Sequence, residues 1–315
     1  MFKTTKGFYN EDLKRVLNDL NDDRKIIRKK VLLYTIITAF ILLFLTGLFF
    51  YYIKTIILGF LLIPASGILF AYEYFKERFG KSYVEDFKHQ VLSKLVKYVD
   101  EDLEYNKDNF VDRSEFIYSA LYNDKRIDRY RGEDYISGKV GKTRIEFSEV
   151  RACYKKGDEY RRIFGGLFFI ADFNKDFKSK LIITPRGLLG KPKVLEDLMS
   201  GNESITMENT DFENVFDVRG TSQLEARYIL TPKIMEKILR LYYNVKKSVG
   251  GHISVSFNKS KIYIAIPICK DLFEPSIMGE KYLMRKDINE FYKYIKLMFD
   301  IVEELDLNTR IWTKK

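Results

Sequence analysis

The sequence predicts an α+β fold, with an N-terminal two-helix transmembrane hairpin followed by a cytoplasmic domain whose mostly antiparallel sheet is flanked by helices. Three observations predict it. Two uncharged apolar runs stand side by side near the N-terminus, short alternating runs rich in β-branched and aromatic residues fill the middle, and stretches with helical spacing flank them. The organisation read from these is a cytoplasmic helix over 1–30, a hairpin over 31–72, a helical stalk over 73–126 and an α+β domain over 127–315, with a division into two lobes near 200–220.

At the start, "NEDLKRVLNDLNDD" spaces Leu13, Leu17 and Leu20 at i, i+4 and i+7, which predicts an amphipathic surface helix. Residues 31–53 then run 23 residues without a charge. As a helix they reach about 34 Å, enough to span a hydrocarbon core of about 30 Å. After Lys54, residues 55–72 add 18 more uncharged residues. A signal peptide fits poorly, because thirty largely polar residues precede the first run. Gly59, Gly67 and Ala71 on the second run, and Ala39 and Gly47 on the first, predict a close helix–helix contact through small side chains. Arg24, Lys25, Arg28, Lys29 and Lys30 flank the first span, and Lys76, Arg78 and Lys81 the second, so the positive-inside rule places both termini in the cytoplasm.

Beyond the membrane, Phe75, Phe79, Phe87, Val91, Leu95, Val99 and Leu103 recur at helical steps and predict one helix of about eight turns. "RSEFIYSALY" (113–122) follows as a short helix with Ser114 as N-cap. Residues 127–156 give two or three strands with turns at Gly132 and Gly141. "YRRIFGGLFFIADFNKDF" reads as a buried strand, with Gly165 and Gly166 permitting a bulge or close backbone contact, and "KLIITP" as another strand. Thr231 and Pro232 cap and open the helix that follows. "HISVSFNKSKIYIAIP" is a hairpin, and a long helix with Ile288, Phe291, Ile295, Phe299 and Val302 on one face closes the chain.

The bulk numbers exclude several functions. The chain has 315 residues, net charge +10, 46% hydrophobic and 31% charged residues. Cys153 and Cys269 form no CxxC pair and His89 and His252 lie far apart, which argues against a disulfide scaffold, a zinc ribbon, a multi-histidine metal site and a histidine-based triad. Acidic residues break every basic run except "RKIIRKK", which flanks the membrane, so no nucleic-acid partner is expected. Residues 127–200 hold sixteen cations against eleven anions, a balance that suits an anionic lipid surface.

Two polar constellations are candidate sites. Asp172 and Asn174 read as a turn closing the central strand, with Lys175 pointing to solvent. On a helix, Glu225 and Arg227 stand two apart and face different sides, so each is expected to hold another part of the fold. Arg227 would hold a carboxylate such as Asp172, and Glu225 a backbone amide or a basic side chain. An unfamiliar enzymatic site around Asp172, Lys175, Glu225 and Arg227 stays open as an alternative. No catalytic residue, metal ligand or cofactor is assigned, and the leading reading is a non-enzymatic scaffold or binding module.

"FSEVRA" (147–152), "FGGLFFIADFNKDF" (164–177), "FENVFDV" (212–218), "SQLEARYILTP" (222–232), "SFNKSKIYIAI" (256–266), "LFEP" (272–275) and "IVEELDLNTRIW" (301–312) stand in an order that resembles one bacterial family, the domain-of-unknown-function family numbered 3137. The resemblance implies two N-terminal membrane helices, a cytoplasmic α+β domain and residence in the bacterial inner membrane. It also implies a LemA-type membrane protein as a partner beside the lipid bilayer. It carries no catalytic residue.

Overall fold

The computed structural model describes residues 5–53, 62–122, 127–173, 178–186, 203–268, 270–278, 281–305 and 307. Lys54 and Gly59 of the expected hairpin, and Asn174 and Lys175 of the expected turn, lie outside the described residues. The chain forms two compact units: Met1–Leu95 with Glu274–Glu290, and Val96–Phe273 with Phe291–Lys315.

In the first unit, α1 (Thr5–Phe8) leads into α2 (Glu11–Ile53), a single 43-residue helix. The expected amphipathic helix and first span are therefore one element. No proline or glycine interrupts the helix until Gly47, so nothing local ends it between them. Leu13, Leu17 and Leu20 are buried, as their spacing requires. α3 (Leu62–Phe87) packs antiparallel on α2, with Tyr34 against Phe75 and Phe79 at ring distances of 5.4 and 5.3 Å. A Cβ on Gly67 would stand 2.9 Å from Leu42 Cδ1, the end of a flexible side chain, so Gly67 lies at the contact between the two helices. Gly47 has open space around it and takes no part in that contact.

The predicted eight-turn helix is shorter. After α3 comes a π-helical segment, Lys88–Leu92, then α4 (Ser93–Val99), and Leu103 opens a strand instead. The π segment holds Lys88 buried, with Nζ 3.0 Å from Glu274 Oε1.

The second unit carries one antiparallel sheet, nine-stranded among the described residues. Its strands are β1 (Leu103–Asn106), β2 (Arg129–Val140), β3 (Thr143–Lys156), β4 (Glu159–Asp172), β5 (Leu181–Pro185), β6 (Glu203–Ser204), β7 (Phe216–Gly220), β8 (Ser254–Asn258) and β9 (Lys261–Pro267). Their order across the sheet is β1-β2-β3-β4-β9-β8-β5-β7-β6. Strands from both sides of residues 200–220 thus share one sheet. β2 runs through Gly132, where a turn was expected, and absorbs an irregularity between Glu133 and Ile136 instead. Gly141 does sit in the β2–β3 turn.

β4 is the buried centre, with every side chain from Phe164 to Ala171 inside. Phe164, Phe168 and Ile170 pack with Val150, Ala152, Tyr263 and Ala265 on one face, which α5 (Arg113–Tyr118) covers through Phe116. Phe116 meets Phe168 at a ring distance of 4.9 Å. Asp112, rather than Ser114, caps α5, because its carboxylate accepts from the Ser114 amide at 2.7 Å. Burial of Leu167 and Phe169 beside Ile264 and Ile266 builds the opposite face.

After α5, the helices of this unit include α6 (Thr210–Val215) and α7 (Gln223–Ile229). α8 (Pro232–Val249) starts at Pro232 and is capped by Thr231, as predicted. The last helix, α9 (Lys281–Glu304), belongs to the first unit up to Glu290 and to the second from Phe291, and its Ile288, Phe291, Ile295, Phe299 and Val302 are all buried.

Candidate functional site

Where β3, β4 and β9 run out together, the apolar face under α5 gives way to a polar cleft of about 280 Å³. Antiparallel register brings it together: Glu146 stands opposite Ile170, and Asp172 opposite Lys261. Arg144, Glu146, Asp172 and Lys261 supply its charges, and Ile145, Ile170 and Ala171 its apolar lining.

Two of those charges are committed inside the fold. Lys261 Nζ donates to Glu115 Oε1 at 2.8 Å, and the other oxygen of Glu115 accepts from the Tyr263 hydroxyl at 2.9 Å. The Tyr135 hydroxyl donates to Glu146 at 2.7 Å. Burial, then the bond to Glu146, pushes the Tyr135 phenol up to about 12. Burial, with the Glu115 charge second, pushes the Tyr263 phenol higher still. Both tyrosines are therefore neutral donors at physiological pH.

Arg144 and Asp172 are exposed, and among the described residues neither has an ion-pair partner. They leave the cleft one free cation and one free anion for a ligand. Glu115→Ala removes the acceptor shared by Lys261 and Tyr263 and is expected to cost about 1–2 kcal/mol. A lower denaturation midpoint in the purified chain would measure it, and an unchanged midpoint would count against that shared role.

Of the other sequence candidates, Arg227 is exposed on α7 and does not meet Asp172; among the described residues it has no carboxylate partner. The expected pairing fails because a seven-residue helix with Ala226 and Ile229 buried turns Arg227 outward. Glu225 faces the other way. One of its carboxylate oxygens accepts from the Ser179 amide at 2.8 Å and from the Ser179 hydroxyl. It therefore pins the segment entering β5. Sequence reasoning missed Glu115, Glu146 and Arg144; the alternation of "KTRIEFSEV" placed Glu146 away from Phe147 but could not show what faces it.

The cations expected to flank the membrane divide. Arg28, Lys29, Lys30 and Arg78 are exposed. Lys25 is exposed and paired with Asp22 at 2.8 Å, and Lys76 pairs with Glu73. Arg24 is the exception: it is 3% exposed and donates to Asn21 Oδ1 at 3.0 Å. Burial pushes the Tyr83 phenol up to about 12, opposed by the nearby Arg24 charge. Arg24 thus acts inside the helix packing, not at a headgroup.

An α+β domain on one antiparallel sheet, in a chain that also carries an apolar helix long enough to cross a membrane, is the class these features define. Residues 162–307 match the family described as "Protein of unknown function (DUF3137)", so the resemblance carried by the motifs is shown over that stretch. "FSEVRA" lies N-terminal to it. The crystal structure of the mycobacterial trehalose monomycolate transport factor A, TtfA, is similar at a TM-score of 0.34 with 9% identity, over 69% of this chain and 97% of that one. No curated protein matches.

Proposed function

We propose that this chain is a membrane-anchored binding module: α2 and α3 form a hairpin that crosses the bilayer, both termini are cytoplasmic, and the sheet domain holds a ligand or partner. One observation carries the anchoring. Leu13–Tyr52 is long and apolar enough to cross a membrane, yet only 6% of its most apolar stretch is buried. Phe40 and Phe44 are 71% and 68% exposed, and on α3 Leu69 and Phe70 are 68% and 74% exposed. A soluble core helix would bury such side chains, each contributing about 1.5–3 kcal/mol when removed from water. Hydrocarbon is the surrounding that fits them.

The cleft with its free Arg144 and Asp172 supports the binding role. A LemA-type membrane protein is the partner proposed, on the family resemblance. Glu225 is spent on Ser179 and Arg227 stands apart from Asp172, which disfavours the alternative of an enzyme built on those residues.

Membrane fractionation tests the anchor. The chain should stay in the pellet through alkaline carbonate and leave it in detergent; release by carbonate would overturn the reading. A C-terminal fluorescent-protein fusion should glow and a C-terminal alkaline phosphatase fusion should be inactive. An active phosphatase would overturn the topology.

A further inference from the structure

The β2–β3–β4 register collects arginines that the sequence scatters. Directly opposed residues of an antiparallel pair point to the same side of the sheet, with Cβ atoms about 4.5–5.5 Å apart. Arg131 stands opposite Arg151 and Arg129 opposite Cys153, while Cys153 in turn stands opposite Arg162. One face at one end of the sheet therefore carries Arg129, Arg131, Arg151 and Arg162, with Cys153 among them.

The local geometry holds these side chains in place. Arg151 faces Gly165, where a Cβ would stand 3.1 Å from Arg162 Cδ, so Gly165 provides the space across which Arg162 lies. The Arg129 guanidinium sits over the Tyr160 ring, 4.0 Å from its centroid, a contact that fixes the cation without neutralising it. Of the nearby carboxylates, Glu149 stands 3.7 Å from Arg151 with Glu133 opposite it, and others have partners of their own. Asp271 pairs with Arg151 at 2.7 Å, Glu159 pairs with Arg161, and Asp128 accepts from the Lys155 amide at 2.6 Å. Among the described residues no carboxylate pairs with Arg129, Arg131 or Arg162, and all three are exposed. Asp271 neutralises Arg151, but Arg131 opposite it and Arg129 and Arg162 beside the pair have no carboxylate partner among the described residues, which leaves a cationic row open to an anion.

The geometry points to a phosphate-binding face formed by Arg129, Arg131 and Arg162, whose occupant is the anionic phospholipid headgroup. Guanidinium groups meet phosphate oxygens through paired hydrogen bonds, and anionic lipid attracts clustered arginines near its surface. The choice of lipid over other phosphates rests on the bilayer anchoring proposed above, which keeps headgroups at high local concentration.

Cys153 lies in the row and reports on its coverage. The full chain carrying Cys269→Ser is placed in nanodiscs of phosphatidylcholine alone or with phosphatidylglycerol, and alkylation of Cys153 is timed. Anionic discs should slow alkylation roughly fivefold or more relative to neutral discs. About 0.5 M salt should remove the difference by screening. R129Q/R131Q/R162Q should show none, while R129K/R131K/R162K, which keeps the charge but not the paired hydrogen bonds, should keep part of it. Both triple variants must keep the parent's melting temperature; should the glutamine set unfold, R131Q alone should at least halve the protection.

Equal rates in the two kinds of disc overturn the proposal. So does protection in neutral discs by inorganic phosphate or by a single-stranded RNA, without protection by anionic lipid. Carbonate extraction of the same variants keeps failure of this inference distinct from failure of the anchor, because the glutamine triple variant should still pellet.

Discussion

Gly166→Ala should destabilise the second unit by about 3 kcal/mol or more, the sum of a backbone penalty and a steric one. Gly166 has φ of +145°, a conformation that side-chain-bearing residues rarely adopt. A Cβ there would also stand 2.3 Å from the Ile266 carbonyl oxygen and 2.6 Å from the Ile268 amide nitrogen. Neither can retreat, because the Ile268 amide donates to the Gly165 carbonyl at 2.9 Å and both lie at the β4–β9 seam in the middle of the sheet. A melting temperature lower by about 6–12 °C is expected for a unit of this size. Gly165→Ala is the control: its Cβ would meet only the flexible Arg162 side chain, at 3.1 Å, and should cost about 1 kcal/mol at most. Equal effects at the two positions would refute this account of the glycine pair.

Glu149 should make the protein less stable as pH rises from about 4.5 to about 7. Its side chain is buried on β3, and burial, ahead of the neighbouring charges of Asp271, Glu133 and Asp134, pushes its carboxyl up to about 7 from 4.5; the Leu272 amide, bonded at 2.9 Å, pulls the other way. Arg151 stands 3.7 Å from it but is engaged by Asp271 at 2.7 Å. A carboxyl that holds its proton more tightly when folded stabilises the fold below the unfolded value of 4.5, and that contribution is lost as pH climbs through about 7. The span corresponds to about 3 kcal/mol. Urea denaturation of the wild type and Glu149→Gln across that range isolates it. The difference in stability between the two should change with pH in the wild type's disfavour, and a pH-independent difference would sink the assignment.

Elements specified within a few residues were legible in the sequence. Thr231 and Pro232 start α8 because a hydroxyl acceptor and a fixed φ act on the next turn alone. β8 and β9 follow from alternation around a two-residue turn, and all six alternating side chains from Ile253 to Ile266 are buried. The long α9 and the apolar character of α2 come from spacing and composition in the same way. Even at short range a choice between equals failed: Asp112 and Ser114 are both good caps, and packing of Phe116 beneath α5 sets where the helix begins.

Contacts between distant residues were not legible. Glu225 finds Ser179 46 residues away, and Arg227 faces solvent although a carboxylate was expected. Arg24 reads as one more cation beside the membrane, yet α2 and its neighbours bury it. The cleft depends on Glu115 and Lys261, 146 residues apart, and the arginine row on the register of three strands.

By itself, then, the amino-acid order determined most of the stretches that are helix or strand, that one N-terminal helix is long and apolar enough to cross a membrane, and that residues 162–307 resemble their family. Tertiary structure decided which charges are paired, which are buried and which are left exposed. The reason is range: capping, alternation and hydropathy act along one element, whereas the partner of a charge is set by strand register and by burial, which no single element contains.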